Sequence, residues 1–522
     1  MTDITRRSAL AALSAAVAAP SIPAAMAQQS AAPPLIPFRF EDVVRRARDL
    51  ATTPFDATVP PLPEPLQNLD YDSYRDIRFR PDRALLASTG SPFRLQLFHL
   101  GFLYNRPITV NVIRDGVPTP IPYQPQLFEY GRTKIERQLP VNLGFAGFRI
   151  HNLLNNPKVF DELVAFLGAS YFRFLGRDQR YGLSARGLAI NVAGRDEPEE
   201  FPVFREFWIE IPPAGAERIT VLALLDSRSV SGAYRFDIYP GTETVVDVAV
   251  TLFPRRQIQG VGLAPLTSMY YSGENERRTG DDFRLEVHDS DGLLIHSGTG
   301  EWIWRPIRNP ATKTIQAFTD NNPRGFGLMQ RDRNFDNYQD LEAHYHMRPS
   351  YWVEPTGNWG DGRIELVEIP TAAEVHDNVV AYWMPRQPVE PGQEVTYGYR
   401  IRSVGSGEGM HPGGKVISTY QAPARASGSA DPADRTVRRF LVDFAGGNLS
   451  YYLSDPALVQ VVPSMSAGQI VGTFVVPNEH TGGFRAAIDL KLEPGQSADL
   501  RAYLRSGDKA LTETWTYRWT AS

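Results

Sequence analysis

Apolar and polar residues alternate along much of this chain in short runs bounded by turn residues. Phe93-Arg-Leu-Gln-Leu-Phe-His-Leu alternates through most of its length, the period of a strand with one buried face. Ile219-Thr-Val-Leu-Ala-Leu-Leu and Val245-Val-Asp-Val-Ala-Val-Thr-Leu-Phe are nearly continuous apolar runs, as expected of strands inside a sandwich. Val379-Val-Ala-Tyr-Trp, Arg438-Arg-Phe-Leu-Val-Asp-Phe and Glu513-Thr-Trp-Thr-Tyr-Arg-Trp extend the series. The pattern predicts an all-β fold of sheets packed face to face.

Helix signals are few. Phe40 to Ala51 is amphipathic at helical spacing. Asn156-Pro157 ahead of Val159–Leu167, with Gly168 behind, reads as a second helix with an Asn cap, a proline in the first turn and a glycine stop. Tyr338 to Ala343 allows one or two more turns. Asp289-Ser-Asp-Gly292 between Phe283–His288 and Leu293–His296 predicts a hairpin. Three prolines and a glycine within Pro385–Gly392 mark a boundary, giving a large unit over 28–385, a linker at 386–392 and a smaller unit over 393–522. Strand spacing in the smaller unit suits an immunoglobulin-like sandwich without its disulfide. Gln421 to Asp434, rich in Ala, Ser, Pro and Asp, reads as a loop.

Composition sharpens this picture. Gly and Pro number 42 each, matching many turns between short strands, and there is no cysteine. Disulfides and cysteine-based metal or nucleophile sites are therefore excluded. The first 27 residues carry Arg6-Arg7, a short apolar run and Ala25-Met-Ala27, the order of a twin-arginine export signal. The run is too short to span a bilayer. Its removal would leave 495 residues and take the formal charge from −5 to −6. A mildly acidic, exported chain of that length suggests at least two domains, a neutral ligand, and no binding to nucleic acid or anionic membranes.

Candidate chemistry concentrates between His288 and Trp383, which hold five of the eight Trp and five of the nine His. Two His-Asp steps, His288-Asp289 and His376-Asp377, bracket the stretch, and Glu374 precedes the second. Aromatic rings beside paired carboxyls suit the binding and cleavage of a sugar chain, although aromatics equally build cores. Taken alone, Asp289, Asp291 and Asp377 fit ordinary turn chemistry, and Trp302, Trp304, Trp352, Trp359 and Trp383 fit either core or groove. Trp302 and Trp304, two apart, would share one strand face. His344 and His346 lack a third metal ligand at fixed spacing. Gly409-Met-His-Pro-Gly-Gly414-Lys415 imitates a phosphate loop, but Val416 replaces the required Ser or Thr and no helix follows. No G-x-S-x-G elbow occurs.

Several longer runs resemble the periplasmic glucan biosynthesis proteins G and D. They include Gly262-Leu-Ala-Pro-Leu-Thr-Ser-Met-Tyr, Asp282-Phe-Arg-Leu-Glu-Val-His-Asp-Ser-Asp-Gly-Leu, Gly300-Glu-Trp-Ile-Trp-Arg-Pro and Arg348-Pro-Ser-Tyr-Trp-Val-Glu-Pro. The resemblance spans essentially the mature chain, and the twin-arginine leader makes it more similar to the D branch. It implies a large N-terminal β-sandwich of galactose mutarotase-like type, a smaller immunoglobulin-like sandwich, and a role in making osmoregulated periplasmic glucans with a β-1,2-linked glucose backbone. D-type members are similar to a glycoside hydrolase family that cleaves β-1,2-glucan internally, and some relatives transfer the cut chain instead.

Carried onto this chain, the resemblance makes Asp377 the general acid, Glu374 an auxiliary carboxylate, and Asp289 the base, with Asp291 as the alternative. Family analogy favours inversion, which needs carboxyls roughly 6.5–9.5 Å apart to admit water, against about 5 Å for retention. Glu374 is the expected source of negative charge that keeps Asp377 protonated. Trp302, Trp304, Tyr345, Trp352 and Trp383 are the candidate sugar-stacking residues. Neither metal nor organic cofactor is implied. The rival readings are a non-catalytic glucan-binding scaffold for the inner-membrane synthase, and a transglucosylase or cyclase. Oligomeric state is not legible.

Overall fold

In the computed structural model, residues 36–521 are described, apart from 134, 136–138, 195–196, 277–280 and 425–435. The export signal and most of the 421–434 loop lie outside the described residues. Alternating strands dominate, and among the described residues they assemble into two large sheets, of ten and fifteen strands, and a smaller one of four. The chain is all-β in class.

The apolar faces of the two large sheets pack on one another. Phe93, Leu95, Phe148, Ile150 and Phe166 of the ten-stranded sheet meet Phe207, Val221, Phe236, Val248 and Leu252 of the fifteen-stranded one in a single cluster. Burial of that apolar area is the main force holding the sandwich. A second cluster forms where Leu500, Ala502, Trp515 and Tyr517, at one end of the fifteen-stranded sheet, face Phe440, Val442, Phe484 and Ile488 of the four-stranded sheet. The amphipathic helix is present as Phe40–Ala51. It lays Val43 and Ala47 on the outer face of the large sheet, against Trp208, Leu222 and Leu224.

Two sequence expectations fail for identifiable reasons. Val159–Leu167 is a strand, paired with Gly147–Asn156 on one side and Tyr171–Phe174 on the other. Asn156 does accept a backbone N–H two residues on, from Lys158 at 2.8 Å. That contact closes a hairpin turn, because an Asn side chain serves turns and helix caps alike. The 283–296 hairpin is also absent. Val287–His288 pairs with Tyr270–Ser272, whereas Gly292–His296 pairs with Trp302–Pro306 and Gly325–Met329. The Asp-Ser-Asp-Gly turn therefore passes from one sheet to another.

Beyond the proline-rich segment, Val395–Val404 pairs with Val245–Pro254 and Ser350–Thr356 in the fifteen-stranded sheet. Tyr399 and Ile401 belong to the first core, and Val404 and Val416 to the second. The strand that follows the 386–392 linker thus still belongs to the large sandwich, and we propose the boundary between the sandwiches at its end, near Val404.

Candidate active site

One short strand end ties the two proposed catalytic walls together. The Met269 carbonyl accepts the Asp289 N–H at 2.8 Å, and the Ser268 carbonyl accepts the Asn378 N–H at 3.0 Å. The Asn378 side chain closes on Tyr270, accepting from its N–H at 2.8 Å and donating to its carbonyl at 3.0 Å. Ser268 and Ser290 hydroxyls meet at 2.8 Å. Residues 88 apart in sequence, Asp289 and Asp377, are thereby fixed on either side of three consecutive residues.

The two carboxyls sit in unlike surroundings. The Asp289 side chain is 6% exposed and accepts a hydrogen bond from the Arg348 guanidinium. The Asp377 side chain keeps 35% of its accessible surface, with Arg173 Nη2 at 3.8 Å from Oδ2. Protein atoms nevertheless crowd the carboxyl, and desolvation raises the Asp377 pKa above the usual carboxylate value. Arg173 and Arg348 oppose the rise, while the negative charge of Asp289 adds to it. Asp289, not Glu374, is thus the carboxylate that favours a proton on Asp377, which corrects the sequence expectation.

Glu374 is occupied elsewhere. Its Oε2 accepts from Arg284 at 2.7 Å and from the Tyr345 hydroxyl at 2.9 Å. Arg284 also pairs with Asp282 and Asp340. The Tyr345 ring is buried between Tyr338, at 5.8 Å, and the Arg348 guanidinium, at 4.1 Å. Tyr345 therefore links Glu374 to Arg348 and presents no open face for a sugar. Asp291 accepts the backbone N–H groups of Arg331 and Asp332, at 2.8 and 2.9 Å, which commits it to holding that turn. Burial raises its pKa.

Buried His288 stands between Glu286 and Gln330, each 2.8 Å from a ring nitrogen. Burial alone would lower its pKa, but the Glu286 hydrogen bond and charge push it up to about 9. His376 is exposed. His344 leads into a 3-10 turn, with its ring 6.0 Å from that of His346. Among the described residues no group of three or more His, Asp or Glu is arranged to hold a metal ion.

The Trp cluster divides. Trp383 lies in the first core with Trp359, and Trp304 and Trp352 lie in the second. All four are buried, so they pack the cores and do not line a groove. Trp302 is half-buried and shares its strand face with Trp304, as the two-residue spacing predicts. It borders a cavity that neither Asp289, Glu374 nor Asp377 lines. Arg173 and Arg348 had no spacing signal of their own. The only hint was that Arg348 opens one of the runs carrying the family resemblance.

Comparison with known proteins agrees with that resemblance. The family profile described as periplasmic glucan biosynthesis protein, MdoG, matches residues 38–519. A probable glucans biosynthesis protein D from Shewanella oneidensis is 45% identical over 504 residues, covering 96% of this chain and 92% of the relative. A glucans biosynthesis protein G from a Shewanella species is 47% identical over 485 residues, covering 92% and 87%. Another protein G, from Ralstonia nicotianae, is 46% identical over 483 residues, covering 92% and 95%. Identities this close do not separate a D branch from a G branch. A polysaccharide lyase of known structure aligns at a TM-score of 0.21 and 9% identity, over 70% of this chain and 44% of its own, and carries no argument.

Proposed function

The chain belongs to the MdoG family of periplasmic glucan biosynthesis proteins, and from that premise we propose that it cuts or remodels β-1,2-glucan internally with Asp377 as acid and Asp289 as base. Asp377 would donate its proton to the glycosidic oxygen as the C1–O bond breaks. Asp289 would take a proton from the water whose oxygen bonds to C1, which inverts that centre. The observation that carries the reading is the contrast between the two carboxyls. Acid–base catalysis at one pH needs one protonated and one ionised group. The pKa of Asp377 is raised by its surroundings, and Asp289 is paired with a guanidinium. Family membership supports a periplasmic role, and we extend this to export through the twin-arginine leader and to contact with the membrane synthase. No described helix is long and apolar enough to cross a membrane.

The test is incubation of the mature protein with linear β-1,2-glucan beside its Asp377→Asn variant. Shorter chains with rising reducing ends support hydrolysis. New linkages at constant reducing ends support transglycosylation. Binding without any product overturns the enzyme reading in favour of a scaffold, and full activity in the variant overturns the assignment of Asp377.

A further inference from the structure

Two sequence features left unused by the carboxyl cleft converge elsewhere. The Gly300-Glu301-Trp302 segment and the Gly409–Gly414 turn that imitates a phosphate loop both border an open cavity of about 680 Å3, lined also by Asn448 and the 503–514 hairpin. None of Arg173, Asp289, Arg348, Glu374 or Asp377 lines it. We infer that this cavity is a second saccharide-binding site, one that holds a stretch of the same uncharged glucan chain while another stretch occupies the cleft. The inference rests on the glucan reading above.

The wall is built rather than incidental. A Cβ at Gly413 would meet the Leu511 carbonyl at 2.7 Å, and one at Gly447, whose φ is +55°, would meet the Gly413 carbonyl carbon at 2.5 Å. Only glycines allow the turn to pack this closely. Trp302 is wedged against His296 at 4.1 Å, Trp352 at 5.7 Å and His411 at 5.6 Å. Its position is therefore fixed by rings on three sides.

The chemistry of the lining selects the ligand. Glu301 is paired with Arg501 at 2.5 Å and accepts the Thr514 hydroxyl at 2.7 Å. Asp508 and Lys509 offset one another in charge, and burial keeps the His411 pKa below its usual value, leaving a neutral ring with one donor and one acceptor. The balance offers no anion site, despite the phosphate-loop look of the sequence. Asn448 and Tyr503 add an exposed amide and a half-exposed phenol ring. Amides, hydroxyls and an aromatic ring are what a polyhydroxylated chain with apolar C–H faces requires.

The experiment uses the mature chain carrying Asp377→Asn to prevent turnover, titrated calorimetrically with linear β-1,2-glucan oligosaccharides. Two binding events per chain are expected. Adding Tyr503→Ala and Asn448→Ala should remove one event and leave the other's affinity unchanged, with an unaltered thermal unfolding curve. In the otherwise native enzyme the same pair should raise KM for long polymer about threefold or more at constant kcat, because tethering at a second site is lost. A single event in the parent, or two retained in the variant, overturns the inference. If the pair removes one event but the native chain never cuts glucan, the second site stands and the cleavage reading falls. If the native chain cuts glucan but the parent shows a single binding event, cleavage stands and the second site falls.

Discussion

Arg348 donates a hydrogen bond to the Asp289 carboxylate while lying 4.1 Å over the Tyr345 ring, whose hydroxyl binds Glu374. One guanidinium thus supports the proposed base and, through Tyr345, the auxiliary carboxylate. Replacing it by methionine keeps the packing on Tyr345 but leaves a buried carboxylate without its partner. Removing one member of a buried pair costs about 3–5 kcal/mol, and a base no longer held in position should lower kcat/KM about a hundredfold or more. Arg348→Lys retains a cation without the fork and should be better folded. In that variant part of the stability and part of the kcat/KM lost in Arg348→Met should return, as read by denaturant titration and steady-state kinetics on the two variants. An unchanged kcat/KM in both variants would disconnect Arg348 from the base.

Arg173 acts on the other carboxyl. Its charge lowers the Asp377 pKa from 3.8 Å away. Arg173→Gln removes that opposition, so Asp377 should hold its proton to higher pH. The alkaline limb of kcat, which reports loss of the acid's proton, should therefore shift upward. A downward shift would show that another group supplies the proton. Both partners are substantially exposed, so the shift should shrink with added salt.

The strands and the amphipathic helix were legible because their periodicity is local. Val159–Leu167 was not, because Asn156 and Pro157 carry the same turn chemistry whether a helix or a hairpin follows, and only pairing with two neighbouring strands decides. The carboxyls of the site could be named from the family pattern, but their electrostatics could not. Glu374 is only three residues from Asp377 in sequence, yet it is bound by Arg284 and Tyr345, and the charge that raises the Asp377 pKa comes from Asp289. Long-range hydrogen bonds through Ser268–Tyr270 set that arrangement. The Trp residues were ambiguous because an inward and an outward face of a strand share one period.

Stability should fall as pH rises through neutrality. Glu274 is half-exposed by surface area but crowded by protein atoms. Desolvation, then the charges of Glu286 and Asp291, push its pKa up to about 8 from 4.5. His288 is raised from 6.5 to about 9 against the cost of its burial. In both cases the folded state keeps a proton that the unfolded chain has lost. The Glu274 contribution is full below pH 4.5 and lost by about 8, and that of His288 is full below 6.5 and lost by about 9. Thermal unfolding between about pH 5 and pH 9 should show a declining midpoint. Glu274→Gln should flatten the lower part of that decline, and a midpoint that rises over the range would contradict the assignment.

Trp383 provides a test between core and groove. It is fully buried, sits 6.1 Å from Trp359, and pairs across the strands with Leu263 and Ile364. Gly362 lies beneath its ring, where a Cβ would approach Cζ2 to 2.4 Å. Trp383→Ala should therefore cost about 3–5 kcal/mol of stability, from lost transfer energy and the cavity left behind. Trp383→Phe should cost less and leave KM for glucan unchanged, because no sugar reaches the indole. A sugar-stacking role requires the opposite pair of results: a large rise in KM with little change in the unfolding curve. Denaturant titration and steady-state kinetics on the same two variants distinguish them.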